Sequence, residues 1–499
     1  QPYCQNREDT MNNQVPEPDQ FERFRKFLDT PDLIETLRGG LIGENVSVPG
    51  PNGSNPMIYA DYVASGRALA QVEDLVINDI LPYYANSHTE ASFCGQMMTR
   101  LRRQARQIIL TNCGGDARHA VIFTGSGATA GLNRLVTLLG VDAVGNNAKR
   151  PVVFIGPYEH HSNILPWRES GAEVIEIPEA FDGGPDLEVL KEALKANTGR
   201  LMVGAFSAMS NVTGIVTDVK QVTRILKSHG ALSVWDYAGG APYLPIEMGQ
   251  GTDAELDAVV ISPHKFIGGP GASGVLLLRR AAVVHDVPTL PGGGTVSFVS
   301  PWSHDYSLDV VAREEAGTPN VVGDLRAALC FMIKAAIGPE YAANRLEELR
   351  HRARAGWEHT PGLTVLGQDT AQHRIPIFSF LITDPSGKRI HQQLVTRMLS
   401  DLHGVQARGG CACAGPYGHQ LLGIDQSLSE RFRKSISEGH EIEKPGWTRL
   451  GFSVLMSNEK ADKIIQAVDA IARDPYPKSA QYCVDKTTAS FSLEATGTG

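Results

Sequence analysis

Ala258-Val259-Val260-Ile261-Ser262-Pro263-His264-Lys265-Phe266-Ile267-Gly268-Gly269-Pro270-Gly271 is the stretch from which the fold can be read. Its opening run is apolar and unbroken, as in a strand buried on both faces. The run ends at a proline and a Gly-rich turn, through which a central strand does not continue. Lys265 therefore stands at the end of a buried strand. A lysine in a water-poor pocket sheds its proton more readily and can form a Schiff base with an aldehyde. The alternative is an ordinary solvated loop lysine.

The same pattern recurs on either side. Short apolar runs at residues 120–124, 152–155, 201–206, 232–235, 258–262 and 274–278 alternate with amphipathic stretches, which predicts an α/β fold with a largely parallel sheet. Ligands of open α/β sheets sit outside the carboxyl ends of the strands. Residues 125–129, 159–162 and 207–211, together with Asp236, His264 and Lys265, should therefore converge on one site.

Asp236 closes the run Leu232-Ser233-Val234-Trp235 and brings a carboxylate to the end of a neighbouring strand. Read alone, it could simply cap the following turn. The turn Thr124-Gly125-Ser126-Gly127-Ala128-Thr129 follows a strand and opens a helical stretch at 130–139. Free N–H groups and the dipole at such a helix start can cradle a phosphate, although similar turns also serve as plain caps. An amine, a carboxylate and an anion cradle at one sheet edge are what pyridoxal phosphate (PLP) requires. The carboxylate keeps the pyridine nitrogen protonated and the ring electron-poor.

The wider composition fits small-molecule chemistry. The chain has 499 residues and a formal net charge of -9, without the clustered basic surface that nucleic-acid binding needs. No apolar run reaches membrane-spanning length and no signal-peptide core opens the chain, so a soluble cytoplasmic protein is expected. The opening Gln1 leaves an organelle-targeting segment open. Seven scattered cysteines do not form a disulfide framework, and most are expected to be reduced and buried. The organisation read from the sequence is a flexible arm at 1–20, the N-terminal part of a small domain at 21–58, a large cofactor domain at 59–320, a smaller α+β domain at 321–474 and a tail at 475–499. A helical pattern is expected over 21–38, and the tail's end is expected to be disordered.

From Tyr59 to Ala472 the sequence resembles the class V aminotransferase family of fold-type I PLP enzymes, near the cysteine desulfurase and selenocysteine lyase branch. The resemblance rests on Ser-Pro-His-Lys at 262–265. Glu159-His160-His161-Ser162-Asn163, Ser210-Asn211-Val212-Thr213-Gly214 and Glu315-Ala316-Gly317-Thr318-Pro319-Asn320 support it. It implies that His160 stacks on the cofactor ring and assists proton transfer, and that Asn211 donates to the ring's phenolic oxygen. Ala128, Thr129, Ser262 and His264 bind the phosphate, and Thr318 reaches across from a second subunit, which makes the expected assembly a homodimer with a shared active site. Arg449 in Trp447-Thr448-Arg449-Leu450 resembles the family's substrate arginine, suited to a carboxylate by its bidentate fork.

Arg408-Gly409-Gly410-Cys411-Ala412-Cys413-Ala414-Gly415-Pro416 resembles the loop that carries the desulfurase nucleophile, and the match falls on Cys413. Arg408 would stabilise a thiolate there electrostatically. Cys411 is either a helper that accepts sulfur or a bystander. A metal site is not expected, because no companion Cys/His pair lies at metal-ligand spacing. One departure stands out: many family members carry Gln three residues after the ring aspartate, whereas here Asp236-Tyr237-Ala238 leads to Gly239. His88, in Asn86-Ser87-His88-Thr89-Glu90, is a further candidate near the substrate mouth.

The reading is a PLP enzyme that removes sulfur or selenium from a small amino acid to give alanine, with a sulfur-acceptor protein as possible partner. An aminotransferase, an epimerase, a carbon–sulfur lyase without a persulfide, or a non-catalytic scaffold of the same fold are the alternatives.

Overall fold

The computed structural model describes residues 19–87, 89–143, 149–478 and 480–493. A seven-stranded sheet forms its centre, built from β1 (His119–Gly125), β2 (Val152–Ile155), β3 (Glu173–Glu176), β4 (Met202–Ser207), β5 (Leu232–Asp236), β6 (Ala258–Ile261) and β7 (Gly274–Arg279). The spatial order is β1-β7-β6-β5-β4-β2-β3. Every neighbouring pair is parallel except those of β7, which runs antiparallel to β1 and β6.

Alternate residues of these strands feed two separate cores, as the two-residue period of a strand demands. Val121, Phe123, Phe154, Phe206, Trp235, Val259 and Leu277 pack on one face, against helices α2 (Phe93–Asn112) and α4 (Val321–Ile337). Ala120, Ile122, Val153, Val203, Val234, Val260 and Leu276 pack on the other, against α3 (Gly127–Leu138). With both faces covered, the strands read as unbroken apolar runs, so the sequence betrays them. Strand β3 is the one missed. It is a sheet edge with a half-exposed face and a glutamate at each end.

A second layer holds the four-stranded antiparallel sheet β8 (Leu363–Val365), β9 (Ile377–Ile382), β11 (Trp447–Gly451) and β10 (Arg408–Gly410), in that order. Helices α5 (Pro339–Trp357), α6 (Gln392–His403) and α8 (Asn458–Arg473) cover it through Trp357, Met398, Leu399, Ile464 and Val468.

Several expectations need correction. The helical pattern at 21–38 is two helices, α1 (Gln20–Leu28) and a shorter one at Leu33–Gly39, interrupted where Pro31 cannot continue the hydrogen-bond ladder. Phe21, Phe24, Leu28 and Leu37 pack in the main core with α4, not with the smaller sheet, and α4 itself belongs to the main core although the reading placed it beyond the boundary at 320. Residues 482–493 form an antiparallel ribbon, Tyr482–Asp485 with Ser490–Leu493, anchored by Tyr482 in the smaller core and by Phe491 against His391. Six cysteines are described and all are free, but only Cys113 and Cys330 are buried. Residues 1–18 of the arm expected at 1–20, Cys4, His88 and residues 494–499, on which the expected disorder of the tail's end falls, lie outside the described residues. Among the described residues no helix is long and apolar enough to cross a membrane.

One buried ion cluster fixes the site's edge. Glu315 accepts from Arg102 at 2.7 Å, from Arg106 at 2.6 Å and from the Phe123 backbone at 2.7 Å. The segment that continues to Thr318 is thereby pinned to strand β1.

Candidate active site

The carboxyl ends of β1, β2, β4, β5 and β6 open into a cavity of about 260 Å³. It is lined by Ala128, Thr129, His160, Asn211, Asp236, Ser262, His264, Lys265, Arg408, Cys413 and Arg449, so eleven candidates from seven separate stretches of sequence share one hollow. Thr318 does not line it and is exposed on its own chain.

Lys265 follows β6 in a short 3-10 turn begun by Pro263. Burial, further helped by Arg449 and Arg408, lowers its pKa to about 8, against the raising pull of Asp236. Such an amine is substantially neutral, and so nucleophilic, at mildly alkaline pH. Asp236 ends β5 and is 4% exposed. Burial pushes its carboxyl up, opposed by the Ala238 N–H, which donates to it at 2.8 Å, and by the charge of Lys265. A cationic ring nitrogen would supply the positive charge this carboxylate lacks.

The anion cradle is built on the start of α3. Ser262 Oγ accepts from the Ala128 N–H at 3.0 Å, and Thr129 Oγ1 meets Ser162 Oγ at 2.7 Å. Gly127 has φ +66°, and a Cβ there would lie 2.8 Å from Ser262 Oγ. Gly274 on β7 is tighter still: its Cβ would meet the Gly127 backbone at 2.5 Å. His264 has its pKa lowered to about 4 by burial and by Lys265, so it faces the cradle as a neutral ring.

His160 caps the next short turn, its Nδ1 accepting from the Ser162 N–H at 3.1 Å, and burial with Lys265 beside it lowers its pKa to about 4. Asn211 donates from Nδ2 to the Ala412 carbonyl at 2.9 Å, while its buried Oδ1 has no partner. Gly239 lines the same cavity, and a Cβ there would meet nothing closer than 3.4 Å. The glutamine that the family resemblance leads one to expect is thus absent without a steric demand for glycine.

Arg408 and Arg449 are cross-strand partners on β10 and β11, where like charges repel. The structure resolves this with a residue the sequence reading missed. Asp61 accepts from Arg449 Nη2 at 3.2 Å and from Arg408 Nε at 3.0 Å. Arg449 is 4% exposed, also donates to the Asn211 carbonyl at 3.1 Å, and keeps a buried Nε without a partner. Asp61 thus orients a guanidinium that still has an unused donor for a carboxylate. Asp61→Ala should raise KM for the amino-acid substrate by about tenfold, or ~1.4 kcal/mol, with kcat within about threefold. Steady-state kinetics measure this split.

Behind Lys265 lies a second cavity of about 360 Å³, with Tyr62, Phe266, Phe331 and Ile333 in its wall, and Lys265 lines both.

A family model described as "Aminotransferase class-V" matches residues 58–463. The chain belongs to the class V aminotransferase family. It is 28% identical over 371 residues to a probable cysteine desulfurase of Halalkalibacterium halodurans, covering 73% of this chain and 86% of the relative. To a cysteine desulfurase of Shigella flexneri it is 30% identical over 373 residues, covering 72% and 85%. Among solved structures it superposes on the apo cysteine desulfurase of Thermococcus onnurineus NA1 with TM-score 0.68 at 23% identity, over 83% of this chain and 94% of that one. The cysteine desulfurase CsdA of Escherichia coli gives TM-score 0.65 at 22% identity, with the same coverages. The fold is therefore fold-type I, and class V membership makes this a PLP-dependent enzyme.

The residues present fit that cofactor. The donor set at the start of α3, the buried Asp236 and the partly neutral Lys265 meet in one cavity of suitable size, and Asn211 Oδ1 and Arg449 Nε are buried polar atoms left unpaired.

Proposed function

We propose that this class V enzyme is a cysteine desulfurase or selenocysteine lyase, releasing alanine from its amino-acid substrate. The observation that carries the proposal is the exposed thiol of Cys413 in the cavity wall with Lys265 and the two arginines. An aminotransferase or epimerase has no use for a thiol there.

Ala128, Thr129, Ser262 and His264 would hold the PLP phosphate, Asp236 the ring nitrogen, Asn211 the phenolic oxygen and His160 the ring face, with Lys265 as the covalent anchor. When bound, PLP supplies an aldehyde for the substrate's amino group and an electron-accepting ring. Arg449 binds the substrate carboxylate through its free donor edge, and Asp61 keeps that edge in place. The Lys265 amine, when not engaged as the anchor, would take the α-proton and later return a proton to carbon. Cys413, as thiolate, attacks the substrate sulfur. A sulfur–sulfur bond forms, the carbon–sulfur bond breaks with its electron pair left on carbon, and protonation of that carbon gives alanine. Cys413 is left as a persulfide, for delivery to a sulfur-acceptor protein.

Thr318 is proposed to act in the homodimer, where Thr318 of the partner subunit would complete the phosphate site. A cytoplasmic location accords with this sulfur chemistry.

Gly239 favours one second reading. Without a side chain at that position the ring's phenolic oxygen is tuned differently, which suits elimination or transamination. Product analysis with cysteine, selenocysteine and cysteine sulfinate decides. Alanine with protein-bound persulfide is the expected result; pyruvate would establish a β-eliminating lyase, and a keto acid with pyridoxamine phosphate an aminotransferase.

A further inference from the structure

The turn that carries Cys413 has a conformation its residues do not favour. Ala412 and Cys413 have φ of 52° and 55°, both in the left-handed region, and the Ala414 N–H donates to the Cys411 carbonyl at 3.1 Å. This is the geometry of a turn that normally takes Asn-Gly or Gly-Gly at its centre. Glycines are close by at 409, 410 and 415, but none occupies the two left-handed positions. Side chains with a Cβ persist in such a conformation only where surrounding contacts impose it.

Three hydrogen bonds from outside the turn impose it. Asn211 Nδ2 donates to the Ala412 carbonyl at 2.9 Å. The other two come from one residue: the His161 N–H donates to the Cys413 carbonyl at 2.8 Å, and His161 Nε2 accepts from the Gly415 N–H at 3.0 Å. His161 thus grips the turn on both sides of Ala414. Gly415 permits this approach, because a Cβ there would come within 3.0 Å of the same Nε2. His161 does not line the cavity; it sits on the turn after β2, on the large sheet, whereas Cys413 belongs to the segment between β10 and α7 (Gly415–Leu422). The grip therefore spans the two layers of the molecule.

We infer that His161 is a positioning residue that latches the strained Cys411–Ala414 turn against the large sheet and so presents Cys413 to the cavity. With the grip released, the turn relaxes out of its left-handed conformation and takes the thiol away from the cavity. In the context of sulfur transfer, which rests on the proposed function, the closed turn is the sulfur-accepting position and the open one the delivering position.

The test compares PLP-loaded wild type with His161→Ala and His161→Gln. The Gln amide oxygen can accept the Gly415 N–H in place of Nε2. Amide hydrogen exchange of the peptide covering 409–416 should quicken about tenfold in His161→Ala and return toward wild type in His161→Gln. Sulfur release from cysteine should lose kcat by about tenfold in His161→Ala with little change in KM, and His161→Gln should recover it. Should His161→Ala not fold, Gly415→Ala attacks the same contact from the other side and should quicken the same exchange. Unchanged exchange in the variant, or a defect that Gln does not relieve, would overturn the latch. If alanine and persulfide are not the products, the exchange comparison still decides the latch; if the latch fails while those products form, the desulfurase reading stands.

Discussion

Lys265→Ala should abolish turnover and remove the visible absorption band of the purified enzyme. Two independent tasks fall on that nitrogen. It anchors the cofactor, and a positioned general base contributes roughly 10²–10⁴-fold to rate, so its loss should cost at least that. Asp236, 4% exposed, stays buried without its cationic neighbour, so a modest fall in thermal stability should accompany the change. The amine's depressed proton affinity gives a second readout that needs no turnover. Because the pKa of Lys265 is lowered to about 8, the reactive neutral form is half-populated near pH 8 and levels off about one pH unit above it. The rate at which wild-type apoprotein takes up PLP, followed by absorbance, should rise from about pH 6 through pH 8 and flatten near about pH 9. A rate that keeps climbing through pH 9 without levelling would mean the lysine is not desolvated.

Cys413→Ala should reduce sulfur release from cysteine by about a hundredfold or more, which is ~2.7 kcal/mol or more of transition-state stabilisation. The side chain is exposed at the cavity wall and adds nothing to either large core, so the loss should appear without a change in melting temperature. The cofactor band should also remain, because Cys413 is not among the residues assigned to hold PLP. Full sulfur release by this variant would remove the persulfide step and return the choice to elimination. Cys411→Ala is the matched control: Cys411 is half-buried beside Tyr417 and Trp447 and does not line the cavity.

What the sequence disclosed and what it hid follow one physical division. Strands β2 and β4 to β7 are covered on both faces, so their apolar runs are long and unambiguous, and the residues just beyond them are located by the fold's own rule about carboxyl ends. Lys265, Asp236 and the glycine turn were visible for that reason. Asp61 and His161 were not. Asp61 meets partners 347 and 388 residues away, and His161 meets Gly415 at a separation of 254, distances over which periodicity and spacing carry no signal. Asp61 sits in Tyr59-Ala60-Asp61-Tyr62, where nothing local marks it, and His161 was eclipsed by its neighbour His160. The packing of α1 was misplaced for a related reason: an amphipathic helix announces that it has a buried face, not which of two cores receives it.

Gly274 and Gly127 meet main chain to main chain, with no room for a single methyl group between them. The width of the anion seat is therefore gauged by two residues that contribute no functional group. Side-chain evolution at those positions cannot widen or narrow it by degrees, since the smallest possible increment collides with backbone at Gly274 and with the Ser262 hydroxyl at Gly127. Adjustment of how firmly the seat grips its guest must come from the hydroxyls and imidazole around the rim, at Thr129, Ser162, Ser262 and His264, where replacement alters chemistry while leaving the gauge untouched.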